Sequence, residues 1–491
     1  MSSLHPTLER VGDVLRSADL LRESRGPGDV TLRGLAMDSR AVRPGDLFLA
    51  WKGNRFDAHE FVASAVENGA VATIVERPVD VDIPQLIVSN GRQAAAIASS
   101  TVMGNPGREL VTVGVTGTNG KTTTALLVRH LLGPEIPTAV IGTLGLVDGK
   151  GVRPGTEGLT TPGPVDVAVW LRELADGGTG AVVMEASSHA LAQHRLDGVP
   201  FDIAVFTNLT QDHLDYHGDM DAYLAAKARL VDLVDTSGHL VVNADEDAWA
   251  RLEHGDRYVV RFAIDNTGEV AAEDIVLRAT GSTFTLRTPG KRNKVTTPLI
   301  GRYNVQNALG AVAAAIVAGV PVESIVERLS TVPQVRGRLE AVIADPFSVL
   351  IDFAHTPAAL ENALAAVKPL TDGRLIVLFG AGGDRDPTKR RPMGEAVRGH
   401  ADVVVVTSDN PRTEDPNAII DDVVTGLDGV EYLRFADRRV AIKAALAEAK
   451  PGDTVVLAGK GHEAYQVIGT EKLPFDERAI ANQALRELGV A

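Results

Sequence analysis

Lys121 and Thr122 follow a run, residues 111–120, that reads Val-Thr-Val-Gly-Val-Thr-Gly-Thr-Asn-Gly. A β-rich stretch that breaks into glycines and then opens a helix exposes successive backbone N–H groups, which can cradle the phosphates of a nucleotide. Gly117, Thr118, Asn119 and Gly120 form that loop, Lys121 supplies a point charge, Thr122 offers a hydroxyl to Mg2+, and Thr123 continues the helix. ATP is the expected ligand. The spacing departs from the strict G-x-x-x-x-G-K pattern, because Val115 stands five positions before Gly120 and the other glycines are Gly114 and Gly117.

Several further loops carry polar side chains. Glu185-Ala-Ser-Ser-His189 follows an apolar run, where Glu185 could hold Mg2+ through oxygen, or Glu185 and Ser187 could simply cap a helix. Residues 208–217 are dense in possible ligands. Thr210 and Asp212 read there as helix-start chemistry, and His217 as a surface residue, while His213, close to a strand end, is the better ligand to metal or phosphate. Lys227 reads by composition as a solvated helical lysine. Residues 380–386 fail the dinucleotide fingerprint, since Arg385 occupies its last glycine position. Asp409-Asn-Pro-Arg412 has a turn as its default reading, and Gly459-Lys-Gly-His-Glu463 follows another apolar run. Arginine- and acid-bearing loops on one rim suit a zwitterionic or carboxylate-rich ligand.

The elements that must position these loops are β-α units. Residues 46–50, 71–75, 180–185, 201–207, 348–353, 375–379, 403–407 and 454–458 read as strands, and residues 59–68, 304–318 and 323–329 as helices. Continuous apolar strands alternating with helices predict buried parallel sheets, with ligands outside the strand carboxyl ends. At 491 residues the chain suits about three domains.

Composition excludes several classes. Hydrophobic residues are 44% and charged residues 23%, ordinary for a soluble protein, and the alanine-rich run 308–320 is too short to span a membrane. The start, Met1-Ser-Ser-Leu-His-Pro6, has neither a basic nor an apolar block, so a cytoplasmic protein is expected. With no cysteine there is no disulfide, thiolate nucleophile or cysteine metal site. A net charge of −15 disfavours general nucleic-acid binding.

The motifs Thr116-Gly-Thr-Asn-Gly-Lys-Thr122, Thr160-Thr-Pro162, Glu185-Ala-Ser-Ser-His189, Asp212-His-Leu-Asp-Tyr-His217, Tyr303-Asn-Val-Gln-Asn307, Asp352-Phe-Ala-His355 and Gly459-Lys-Gly-His-Glu463 occur in order along the chain. Together they resemble the Mur ligases of peptidoglycan synthesis, over essentially the whole length. The resemblance implies an α/β protein of three domains. Residues 1–109 would bind the uridine nucleotide and residues 110–336 would form the central ATPase domain, a P-loop-type doubly wound, mostly parallel sheet. Residues 337–491 would be a Rossmann-like domain for the incoming amino acid.

Site roles also follow from the resemblance. Lys227 would be carbamylated and hold a second Mg2+. Asn304 and Asn307 would lie near the adenine, with Arg338, Asp352 and His355 contributing from the C-terminal domain. Thr160, Thr161, Ser187, Gln193 and Arg195 would hold the muramoyl peptide. Asp38, Ser39, Arg40 and the loop 53–59 would hold the uridine diphosphate end, although that loop reads Asp57-Ala-His59 in place of the usual Asp-Gly-His. The tetrad Asp409, Asn410, Pro411 and Arg412 looks like the signature of members selecting meso-diaminopimelate over lysine. Arg412 and Arg385 would pair with its distal carboxylate and Glu463 with its ammonium, beside Gly459.

The implied reaction activates the D-glutamate γ-carboxylate of a UDP-N-acetylmuramoyl dipeptide as an acyl phosphate, which the amine then displaces. Two Mg2+ ions and a monomeric enzyme are expected, with closure of the C-terminal domain to exclude water. The sequence names no general base. Folylpolyglutamate synthase shares the core chemistry but lacks an N-terminal domain like residues 1–109. A nucleotide-driven switch without ligase activity is the rival from another class.

Overall fold

The computed structural model describes residues 6–53, 56–155, 159–278 and 280–490. Two compact units divide the chain. Residues 1–272, 286–292 and 306–328 make the first, and residues 273–285, 293–305 and 329–491 the second.

In the first unit a sheet of five strands runs in the order Leu21–Arg25, Gln85–Val88, Ala72–Val75, Asp46–Leu49, Gly34–Ala36. Its pairs are parallel except at the Leu21–Arg25 edge. Asp46–Leu49, Ala72–Val75 and Gln85–Val88 are buried throughout, as apolar runs covered on both faces must be.

A larger sheet centres on Val111–Thr116, flanked in parallel by Ala181–Glu185 on one side and Phe201–Phe206 on the other. Thr138–Gly142 lies beyond Ala181–Glu185, and Val234–Asn243 and Tyr258–Ala263 extend the other side. The chain therefore fills one side of Val111–Thr116 and then crosses to the other. In doubly wound sheets ligands bind at such a reversal, here outside the carboxyl end of Val111–Thr116.

The second unit holds a six-stranded sheet in the order Glu340–Ile343, Ser348–Asp352, Thr454–Ala458, Leu375–Phe379, Val403–Thr407, Tyr432–Phe435. All its pairs are parallel except that of Glu340–Ile343. Apolar clusters pack on both faces, around Phe379 and Met393 on one and Ile442 and Leu457 on the other. Beneath the strand ends the fully buried Arg438 pairs with Glu477 at 2.7 Å and donates to the Ala458 carbonyl at 2.8 Å.

The expected strands and helices are present, with shifts of a few residues at their ends. The run 308–320 falls mostly in the helix Arg302–Val317, and among the described residues no helix is long and apolar enough to cross a membrane. Among the strands that the sequence reading did not name are Val270–Arg278, Gly281–Thr288 and Lys291–Thr297. Gly281–Thr288 alternates buried and half-buried residues, and Lys291-Arg-Asn-Lys294 reads locally as a charged loop. Thr210 and Asp212 do not start a helix. The residue before Leu214–His217 is His213, in the left-handed region at φ 53°, and Asp219 caps Met220–Asp232.

Candidate active site

The strand Val111–Thr116 ends in a loop that only glycine can make at two positions. Gly117 has φ 146° and Gly120 φ 83°, and a Cβ would drive the first into Thr207 Oγ1 and the second into Asn307 Oδ1. The loop is pinned to its neighbour: Asn119 N–H donates to Asn208 Oδ1 at 2.9 Å, and Thr118 Oγ1 donates to the Thr210 carbonyl at 3.0 Å. Lys121, first residue of the helix Lys121–Leu132, folds back to donate to the carbonyls of Gly117 and Thr118, each at 2.9 Å. Thr123 is buried just behind. A helix N-terminus, a glycine loop and an ammonium thus converge on one point.

Glu185 faces this loop from the end of Ala181–Glu185. It is 1% exposed, accepts from Thr122 Oγ1 at 2.9 Å and from the Thr143 N–H at 2.9 Å, and among the described residues forms no ion pair. Gly142 leaves the room its carboxylate needs. A buried carboxylate without a cation, bonded to a hydroxyl at a phosphate loop, suits Mg2+, which takes one or two protein oxygens and completes its shell from phosphate and water. No group of three or more His, Asp or Glu among the described residues forms a ready-made cage.

Beside Glu185, Thr161 Oγ1 donates to the Glu185 carbonyl at 2.6 Å, accepts from the Ser187 N–H at 3.1 Å, and lies 3.1 Å from Ser187 Oγ. Ser187 also caps the short helix Ser188–Ala192, so the capping alternative holds for Ser187 and not for Glu185. Thr160 Oγ1 accepts from Thr143 Oγ1 at 3.3 Å. Arg195 donates to the Thr161 carbonyl at 2.8 Å and to Gln193 Oε1 at 2.7 Å, which fixes the plane of its guanidinium. Thr160, Thr161, Ser187, Gln193 and Arg195 therefore form one connected group.

Lys227 overturns its compositional reading. It is 1% exposed, donates to the Gly117 carbonyl at 2.7 Å, and lies 4.5 Å from the centre of the Tyr223 ring. The apolar positions of Met220–Asp232 that enter the core carry Lys227 in with them. Burial, then the neighbouring Lys121, push its pKa well below the ordinary lysine value.

His213 joins a ring cluster, 4.7 Å from His189 and 6.3 Å from Tyr223. Burial, followed by the charges of His213 and His217, lowers His189 to about 4, and burial lowers His213 and His217 as well. His217 is not a loose surface residue, since its Nε2 is 3.0 Å from Ser188 Oγ.

In the five-stranded part, Ser39 is buried and the exposed Arg40 is held by Asp38 at 2.7 Å. His59 is committed internally, between Asp57 Oδ1 at 2.5 Å and the Glu76 N–H at 2.9 Å. Asn54 and Arg55, also in the loop expected to bind uridine diphosphate, lie outside the described residues.

In the second unit, Asp352 accepts from the N–H groups of Leu339 and Ala354, both at 2.8 Å, and burial raises its pKa. Arg338 lies 5.1 Å from the Phe353 ring centre, and His355 Nδ1 is 2.8 Å from the Phe353 carbonyl. Asn304 is buried and donates to the Ile300 carbonyl at 2.9 Å. Asn307, in the first unit, accepts from Thr124 Oγ1 at 3.5 Å.

The tetrad is more than a turn. Asp409 and Asn410 are buried, Asn410 donates to Glu463 Oε2 at 3.0 Å, and Arg412, at φ 53°, donates to the Gly383 carbonyl at 2.6 Å. The Pro411 carbonyl packs against Gly383, where a Cβ would clash with it. Gly459, at φ 119°, brings its backbone against Asp409. Arg385 is exposed, its guanidinium 3.4 Å from the Asp384 carbonyl. The sequence reading passed over Lys460, wholly buried among these groups, and Lys389, whose pKa burial lowers and on which the charges of Asp409, Arg385 and Arg412 act.

Comparison with known proteins follows this geometry closely. Residues 31–116 match the "Mur ligase family, catalytic domain", residues 115–315 the "Mur ligase middle domain" and residues 337–461 the "Mur ligase, glutamate ligase domain". A protein of Gloeobacter violaceus is 43% identical over 98% of both chains, and one of Bacillus velezensis is 42% identical over 94% of this chain and 95% of its own. Both are named UDP-N-acetylmuramoyl-L-alanyl-D-glutamate--2,6-diaminopimelate ligase. This chain belongs to the Mur ligase family. A solved structure of a protein with that same name is 31% identical to this Mur ligase, with a TM-score of 0.72 and 99% of each chain covered. The three-domain α/β fold expected from the sequence is therefore the fold of this Mur ligase.

Proposed function

We propose that this Mur ligase joins meso-diaminopimelate to the D-glutamate γ-carboxylate of UDP-N-acetylmuramoyl-L-alanyl-D-glutamate, converting ATP to ADP and phosphate in the synthesis of a peptidoglycan precursor. The observation that carries the reading is the meeting of two loops, in which the buried Asp409 and Asn410 gather with Glu463 beside Arg412. Relatives over nearly the full chain that bear the diaminopimelate ligase name support it.

The γ-carboxylate attacks the ATP γ-phosphorus, the bond to the bridging oxygen breaks, and acyl phosphate and ADP result. Lys121 and the N–H groups of residues 117–123 neutralise and orient the phosphates. Thr122 and Glu185 would hold Mg2+, with Lys227 as a carbamate and His213 beside a second ion. Bound there, the metal would offset charge on the transferring phosphoryl oxygens. The connected group Thr160, Thr161, Ser187, Gln193 and Arg195 would grip the muramoyl peptide, while Ser39 and Arg40 would meet the uridine diphosphate end. Asn304, Asn307, Arg338, Asp352 and His355 would serve ATP. The neutral amine of diaminopimelate then attacks the acyl carbon, and the tetrahedral intermediate expels phosphate.

Domain limits at 1–109, 110–336 and 337–491, a cytoplasmic location and a monomeric state complete the reading. With oxygen-18 in the D-glutamate γ-carboxylate, one label should pass to the released phosphate only when ATP and acceptor are both present. Phosphate free of label would contradict the acyl-phosphate route.

A further inference from the structure

We infer that Lys460 is a positioning residue that sets the charge and orientation of the subsite for the acceptor's distal ammonium. The inference rests on the diaminopimelate reading above and names a residue that reading does not use.

Lys460 follows the strand Thr454–Ala458 between Gly459, at φ 119°, and Gly461, at φ 52°. Gly461 packs so tightly on the Phe353 backbone that a Cβ could not be placed there. The sharp turn sends the Lys460 side chain inward, where it is 0% exposed. Its ammonium donates to Asn410 Oδ1 at 2.6 Å and to Glu463 Oε2 at 2.9 Å, and lies 3.3 Å from Asp409 Oδ1.

These contacts fix more than the lysine. Asn410 Oδ1 also accepts from the Val467 N–H at 2.9 Å, so both its lone pairs are occupied. A flipped amide would set its own NH2 against two donors. The orientation is thereby locked, and the Asn410 NH2 is left to donate to Glu463 Oε2 at 3.0 Å. Glu463 Oε2 then receives both Lys460 and Asn410, while Oε1 has no hydrogen-bond partner among the described residues. Asp409 Oδ1, although near the ammonium, is buried without a hydrogen bond.

The charge balance points the same way. Asp409 and Glu463 contribute two carboxylates, and Lys460 offsets one of them within this directly bonded group. Without Lys460, the Asp409 and Glu463 carboxylates would lose the cation they both contact. The strand Tyr465–Ile468 ties this subsite to Arg412. Its Val467 N–H holds Asn410, and its Val467 carbonyl accepts from the Arg412 N–H at 3.1 Å. An ammonium subsite and a guanidinium are thus carried on one frame, the pairing that a carbon bearing both an ammonium and a carboxylate requires.

The test compares meso-diaminopimelate with α-aminopimelate, which keeps both carboxylates but lacks the distal ammonium. Wild-type enzyme should prefer diaminopimelate in kcat/KM. In Lys460→Met the diaminopimelate KM should rise about 30-fold, the scale of a lost charge-assisted hydrogen bond, while the α-aminopimelate and ATP KM values change less than about 3-fold. Lys460→Gln, which keeps a donor for Asn410 but no charge, should behave alike and serves if the methionine variant does not fold. A preference unchanged in the folded variants, or an equal loss for both acceptors, overturns the role of Lys460. Wild-type enzyme with no preference overturns the diaminopimelate reading itself.

Discussion

Lys227→Ala should lower kcat by about 1,000-fold or more, and wild-type enzyme stripped of carbon dioxide should lose activity that bicarbonate restores. The expectation, implied by the family resemblance, fits an electrostatic conflict at this lysine. Lys227 is buried without a carboxylate partner among the described residues, and it shares the Gly117 carbonyl with Lys121, at 2.7 and 2.9 Å. Two adjacent ammonium groups repel, and burial penalises the inner one, so its pKa falls well below the ordinary value. The neutral amine so favoured is the form that attacks carbon dioxide, forming an N–C bond and releasing a proton to water. The product would be an anion near Lys121, which would relieve the repulsion and offer oxygen ligands suited to Mg2+. Bicarbonate should have no effect on Lys227→Ala. Full activity in that variant, or in carbon-dioxide-free wild type, would contradict the carbamate.

Arg412→Lys should raise the diaminopimelate KM about 10- to 100-fold and leave the ATP KM unchanged. Arg412 is held in the left-handed region by two backbone hydrogen bonds, its N–H to the Val467 carbonyl at 3.1 Å and its carbonyl to the Gly469 N–H at 2.7 Å. Its guanidinium is anchored at the Gly383 carbonyl, so its plane is set before a ligand arrives. A planar fork can meet a carboxylate with two parallel hydrogen bonds, whereas a lysine ammonium is a point charge. An unchanged KM would refute the assignment of the tetrad to the distal carboxylate.

What the sequence made legible divides along physical lines. The phosphate loop was legible because its chemistry is local: Gly117 and Gly120 need positive φ, and Lys121 must follow at once. The strands Leu375–Phe379, Val403–Thr407 and Thr454–Ala458 were legible because both faces are buried, which leaves an uninterrupted apolar run. Lys227 and Lys460 were not, because burial of a lysine is decided by what distant segments bring to it. For Lys227 that is the Gly117 carbonyl, and for Lys460 it is Asn410 and Glu463. Lys227 became a candidate only through family resemblance. The strand Lys291–Thr297 escaped notice because its exposed residues are polar and mimic a loop. His59, expected near the uridine nucleotide, is engaged with Asp57 and Glu76, two contacts that local spacing reveals only in part.

Phosphate release from ATP, measured with UDP-N-acetylmuramoyl-L-alanyl-D-glutamate and either meso-diaminopimelate or L-lysine, tests the central claim most directly. Release with diaminopimelate and not with lysine is the predicted result. Release with lysine alone would keep the ligase and contradict the acceptor assignment, and release with neither would contradict the proposed reaction.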